Sequence, residues 1–197
     1  MEFVELIVAV HDRLDRAQIR HAFGGALALG YIATPRGTVD IDVNTFVPPS
    51  EIDRVADALA PLGYGRSEPT ELLPIAGFRF HHSADPFPVD VFPSLDERYA
   101  EIEGRVEHHR FGRADDELPF LAAEDLCVFK LSFARPQDWV DLRAIAAARP
   151  DLDVAVVEDL LIALRGPTMY PRLARLRAFL RGARVVAMFD DATDDKP

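Results

Sequence analysis

The sequence predicts an α+β protein: a mixed β-sheet flanked by helices, followed by a C-terminal helical bundle. Two observations predict it. Up to about residue 115, short runs rich in β-branched and aromatic residues are interleaved with stretches of helical periodicity. Beyond Pro119 the pattern turns helical and stays so through four successive stretches. The expected organisation is a sheet domain over 1–115, a helical domain over 116–186 and an acidic flexible tail over 187–197.

In chain order, Phe3, Leu6, Ile7, Val10 and Leu14 recur at helical spacing and predict a helix over 2–16. Residues 19–23 read as a short strand halted by Gly24 and Gly25, with a short helix over 26–31 and a turn at Pro35-Arg36-Gly37. A strand over 39–47 is closed by Pro48-Pro49, and Ser50 reads as the N-cap of a helix over 51–62. Strands are expected over 72–75, 78–82, 87–92 and 105–111. Helices follow over 122–134, 137–148, 154–165 and 171–181, and the chain after Val186 reads as loose.

An apolar share of 49% and a charged share of 28% describe an ordinary soluble globular protein. The single cysteine, Cys127, cannot form an internal disulfide, which points to a reducing cytoplasm. The opening MEFVELIVAV lacks a basic region and reads as no signal peptide, and no apolar run approaches the roughly 20 residues of a membrane span. A net charge of −11 argues against nucleic acid at first sight. Its distribution complicates this, because residues 165–184 hold six arginines and no acid. That segment is either a basic surface or the arginine stems of an ordinary amphipathic helix.

The chemistry-bearing stretch is FGGALALGYIATPRGTVDIDV, residues 23–43. Residues two apart in a strand point to one face, roughly 6.6 Å apart, so Asp40 and Asp42 project together while Val39, Ile41 and Val43 enter the core. Two converging carboxylates repel unless a cation lies between them, and oxygen-only ligation favours Mg²⁺. Gly24-Gly25 opens a helix whose free N–H groups suit phosphate. An Asp-x-Asp or a Gly-Gly alone is weak evidence; their order along the chain is the stronger signal. Asp90, flanked by Val89 and Val91, is either an edge-strand residue facing water or a third acid completing a two-metal site.

Lys130 is one of only two lysines and falls inside the apolar arc of its helix. It either snorkels at a core edge or aims a compact charge at a triphosphate. Asp138 and Asp141 follow beside Trp139; they either favour the start of a helix or orient Lys130 or Arg135. The pairs His81-His82 and His108-His109 cannot chelate alone, since neighbours in a strand face opposite sides, and no cysteine spacing supports zinc. Walker loops, dinucleotide fingerprints and nucleophile elbows are all lacking in the sequence.

Taken in order, Gly24-Gly25, Arg36-x-Thr38-x-Asp40-x-Asp42, Asp90 and the segment Lys130–Asp141 resemble the AbiEii/MenT-like nucleotidyltransferases of the polymerase-β-like superfamily. The resemblance covers residues 23–142 and implies a nucleotidyltransferase-type sheet. It also implies Mg²⁺ on Asp40, Asp42 and Asp90, with Asp90 helping to deprotonate an acceptor hydroxyl. Gly24, Gly25, Arg36, Thr38 and Lys130 would hold the NTP, and Asp138 and Asp141 would position Lys130 or the nucleotide. Superfamily members often carry a serine after the first glycine; here Gly25 and Ala26 follow, so phosphate contact there would rest on backbone N–H groups. The resemblance further implies a toxin that adds a pyrimidine nucleotide to the tRNA 3′ end and blocks translation, with a cognate antitoxin protein. Arg172, Arg175, Arg177, Arg181 and Arg184 would face the RNA. A small molecule such as an aminoglycoside, or a protein hydroxyl, is the alternative acceptor, and an inactive binding module the alternative class.

Overall fold

The computed structural model describes residues 2–66, 72–73, 77–82, 84, 86–112 and 117–191, with side chains for all of these except 72–73 and 184–191. Two compact units divide the chain: residues 1–28 with 36–122, and residues 29–35 with 123–197.

The first unit is built on an eight-stranded mixed sheet. Its strands are β1 (His21–Phe23), β2 (Ile41–Thr45), β3 (Tyr64–Arg66), β4 (Leu72–Leu73), β5 (Gly77–His82), β6 (Val89–Pro93), β7 (Glu107–Arg110) and β8 (Glu117–Phe120). They lie in the order β3-β5-β6-β2-β1-β8-β7, with β4 also paired to β5. β2 runs parallel to β6 and antiparallel to β1, while β6 is antiparallel to β5. Central position explains why every residue of β6, Asp90 included, is buried. Helix α1 (Phe3–Arg16) starts with a capping box between Glu2 and Glu5 and buries Leu6, Ile7, Val10 and Leu14. It packs against α3 (Ile52–Leu59), which buries Ile52, Val55, Ala58 and Leu59. Each of these buried leucine, isoleucine and valine side chains contributes about 1.5–3 kcal/mol of transfer free energy. The remaining helices that begin in this unit are α2 (Gly25–Ile32) and α4 (Tyr99–Gly104).

The second unit holds α5 (Ala123–Phe133), α6 (Pro136–Ala148), α7 (Val154–Arg165) and α8 (Tyr170–Asp191). α5 packs on α6 and α7, and α6 on α8. Most of α5 is buried, as expected of a helix at the centre of a bundle. Asp153 caps α7 by accepting from the N–H groups of Ala155 and Val156. Ala134 reverses the chain between α5 and α6 with a φ of +54°, a conformation usually given to glycine.

Several expected boundaries shift. The strand expected over 39–47 spans only Ile41–Thr45, and Val39 is 68% exposed rather than core, because Asp40 sits in a bend ahead of the strand. Ser50 lies inside a short 3-10 turn (Pro49–Glu51), and Glu51 takes the N-cap position of α3. Of residues 105–111 only Glu107–Arg110 form a strand, and Arg105 is the C-cap of α4. β3 and β8 come from stretches with no expected strand; in β8, Pro119 stands opposite His108 on the neighbouring strand. Because β8 joins the sheet, the units divide at 122/123 rather than 115/116. α8 continues to Asp191, past the expected loosening at Val186. Part of the strand expected over 72–75 and all of the tail over 192–197 lie outside the described residues.

Candidate active site

Register brings the acids together. Asp42 on β2 pairs with Asp90 on the parallel neighbour β6, and partners in register present their side chains to the same face. Asp40 reaches them from the bend ahead of β2. Thr38 holds that bend, its hydroxyl contacting the Asp40 carboxylate and lying 3.2 Å from the Asp40 carbonyl. One carboxylate oxygen from each of Asp40, Asp42 and Asp90 lies within 4.8 Å of the others. Among the described residues this is the only His, Cys, Asp or Glu group able to share an ion. The expected convergence is therefore present, although strand alternation accounts for Asp42 alone.

Three hard anionic oxygens at this spacing fit a hard divalent cation. Six-coordinate Mg²⁺ with bonds of about 2.1 Å asks for ligand oxygens about 3–4 Å apart, so a small inward movement closes the set. Sulfur and imidazole donors are missing from the group, which disfavours zinc.

The glycines shape one wall. Gly25 has a φ of +52°, and a Cβ built there would stand 1.7 Å from Asp42 Oδ2. The Asp42 carboxylate thus occupies the space that any other residue would fill at this helix start. A Cβ at Gly24 would meet Asn44 Nδ2 at 2.7 Å, and the Gly24 N–H donates to the Asp42 carbonyl at 2.9 Å. Asn44 shares the Asp42 face of β2, is buried, and its Oδ1 has no partner among the described residues.

Two residues that the sequence reading did not name, Asn44 and Arg79, belong to this region. Arg79 stands opposite Asp90 in the β5–β6 register. Its Nε and Nη2 donate to Asp90 Oδ1 and Oδ2, each at 2.7 Å. Asp90 is 4% exposed, so this fork supplies the charge compensation that a buried carboxylate needs. The sequence signal was faint: a lone arginine between Phe78 and Phe80, informative only once its cross-strand partner is known.

The other expected residues divide between the units. Arg36 is half-buried and donates to the Gly37 carbonyl at 3.2 Å. In the helical unit Lys130 is 4% exposed, with its Nζ 2.5 Å from Asp141 Oδ2 and 3.9 Å from Asp138 Oδ1. Asp138 also receives the Arg135 N–H and guanidinium, and Gln137 donates to Asp141 at 3.1 Å. Asp141 thus contacts Lys130, while Asp138 contacts Arg135 and also lies in the first turn of α6.

Three arginines of the segment make contacts within the helical unit. Arg172 donates to the carbonyls of Leu131 and Ser132 at 2.6 and 2.8 Å, satisfying acceptors that the end of α5 leaves open. Arg175 lies 4.1 Å above the Trp139 ring, and Arg177 pairs with Glu158. Arg181 is exposed, and the side chain of Arg184 lies outside the described residues. Arg172 is thus a helix cap rather than an outward-facing cation.

His11, His21 and His108 line a separate cavity of about 900 Å³, at the end of β1 remote from Gly24. His21 Nδ1 donates to the Ile19 carbonyl at 2.8 Å, which leaves Nε2 to accept from His11 Nδ1 at 3.0 Å. Burial pushes His21 down to about 4, against the opposing pull of that carbonyl.

Neither a family model nor a curated protein matches the sequence. Solved structures do. ANT(2″)-Ia in complex with adenylyl-2″-tobramycin aligns with a TM-score of 0.60 at 19% identity, over 84% of this chain and 98% of that one. The lincosamide antibiotic adenylyltransferase LnuA, lincomycin-bound, aligns with a TM-score of 0.52 at 13% identity, over 74% and 96%. MenT4, a nucleotidyltransferase toxin from Mycobacterium tuberculosis H37Rv, aligns with a TM-score of 0.49 at 18% identity, over 80% and 62%, too distantly to weigh between acceptors. What the first two share with this chain is architecture: the protein has the nucleotidyltransferase fold.

Proposed function

We propose that the protein is a Mg²⁺-dependent nucleotidyltransferase that moves a nucleoside monophosphate from an NTP to an acceptor hydroxyl. The observation that carries this reading is the meeting of Asp40, Asp42 and Asp90 within 4.8 Å on a nucleotidyltransferase sheet. Asp40, Asp42 and Asp90 would hold the metal, which when bound neutralises charge on the phosphates and acidifies a bound hydroxyl. The start of α2 at Gly25 would offer backbone N–H groups to the triphosphate, with Gly24 allowing close approach, and Arg36 would add a cation. Asp90 keeps lone pairs beyond the two that Arg79 engages, so it can still accept the acceptor's proton. The new bond joins the acceptor oxygen to the α-phosphorus, the α–β bridge breaks, and pyrophosphate leaves.

For the acceptor we favour a small, hydroxyl-rich cation. Similarity to two antibiotic-modifying transferases spans nearly their whole length, and a net charge of −11 attracts such a molecule. The tRNA 3′ end is the second reading. It rests on the Lys130–Asp141 pattern and on exposed Arg175 and Arg181, and it carries with it a pyrimidine NTP and an antitoxin partner. A chain of this kind would work in the cytoplasm, where NTP and either acceptor are found.

One experiment separates the two readings. Each labelled NTP is incubated with Mg²⁺ and the protein, once with total tRNA and once with an aminoglycoside panel. Label on an aminoglycoside establishes the first reading and label on tRNA the second. Label on neither, with Asp42→Asn indistinguishable from wild type in nucleotide binding, removes the enzymatic reading.

A further inference from the structure

Arg79 engages both oxygens of Asp90, a member of the acid triad, in the central strand β6. Three carboxylates this close repel one another strongly, and Asp90 is too buried for water to relieve the strain. We propose that Arg79 is a resident counter-ion of the triad. It holds Asp90 in register with Asp42 and lowers the site's affinity for a free divalent ion, so that metal loads together with the anionic triphosphate. The inference rests on the metal site proposed above. Arg79 is a positioning residue in this scheme, acting through Asp90.

The test is Mn²⁺ binding, followed by electron paramagnetic resonance on the full chain without and with NTP. Without nucleotide, Arg79→Gln should bind Mn²⁺ about tenfold or more tightly than wild type, the size expected for removing one like charge about 5 Å away at a partly solvated site. With NTP the difference should shrink. Arg79→Lys, which keeps the charge but not the fork, should stay near wild type. A purely structural role would weaken metal binding in both variants. Equal or weaker binding by Arg79→Gln, or equal gains in the Gln and Lys variants, overturns the proposal.

Arg79→Gln removes the charge partner of the buried Asp90, and one outcome to provide for is an unfolded variant. In that event Asp90→Asn is compared with Arg79→Gln/Asp90→Asn, neither of which strands a buried charge. Tighter Mn²⁺ binding by the double variant supports the proposal, and equal binding overturns it. If the Mn²⁺ signal does not depend on Asp42, the metal site itself is refuted. If it depends on Asp42 but not on Arg79, this inference alone fails.

Discussion

Gly25→Ala is the sharpest perturbation the structure offers. The added methyl would stand 1.7 Å from Asp42 Oδ2 and 2.6 Å from its Cγ, where ordinary contact is over 3 Å. The obstacle is a carboxylate on a central strand, so the clash is relieved only by swinging that group away or shifting the start of α2. Either movement exceeds about 1 Å, enough to cost about 100-fold when a catalytic group is displaced. The positive φ of +52° adds about 1–2 kcal/mol of backbone strain. For a domain of this size that strain lowers Tm by about 2–8 °C. The assay pairs nucleotide transfer with thermal melting, and Gly104→Ala serves as control because nothing lies within 4 Å of its Cβ position. A folded Gly25→Ala with wild-type transfer and wild-type Mn²⁺ binding would refute the assignment of Asp42 to the site.

Two further predictions concern stability. Lys130→Met should cost about 3–5 kcal/mol in urea denaturation, because it leaves the buried Asp141 carboxylate without its cation. Lys130→Met/Asp141→Leu should recover most of that loss, and a double variant as unstable as the sum of its parts would show the pair to be uncoupled. His21, held neutral by burial with a value of about 4 against 6.5 unfolded, stabilises the fold above about pH 6.5; the contribution is lost as pH falls toward 4. At about pH 4.5 the loss should reach about 2–3 kcal/mol. His11, Asp15 and His108 act on His21 electrostatically, so the measurement is the difference between wild type and His21→Gln. Identical acid sensitivity in both would remove His21 as the cause.

Helices were more legible than strands, for a physical reason. α1 and α7 are specified by side chains within one turn of each other, and their apolar spacing is written locally. β3 and β8 are short and take their identity from partners far along the chain; Pro119 reads as a break until His108 is known to lie opposite it. The site followed the same rule. Asp42, Asp90 and the two glycines carried local signals, whereas Arg79 needed the β5–β6 register and Arg172 needed the end of α5. Composition registers the charge of the arginine segment without saying where each guanidinium is directed, so the contacts of Arg172, Arg175 and Arg177 needed the structure.

The Asp42–Asp90 register has a consequence for how the protein acquires activity during folding. The two strands are joined through many intervening residues, and parallel pairing of that kind forms late. A slip of one residue between them would turn one acid to the opposite side of the sheet while preserving most backbone hydrogen bonds. Under the proposed function, Mn²⁺ binding would distinguish correctly aligned molecules from slipped ones whose secondary structure already looks native.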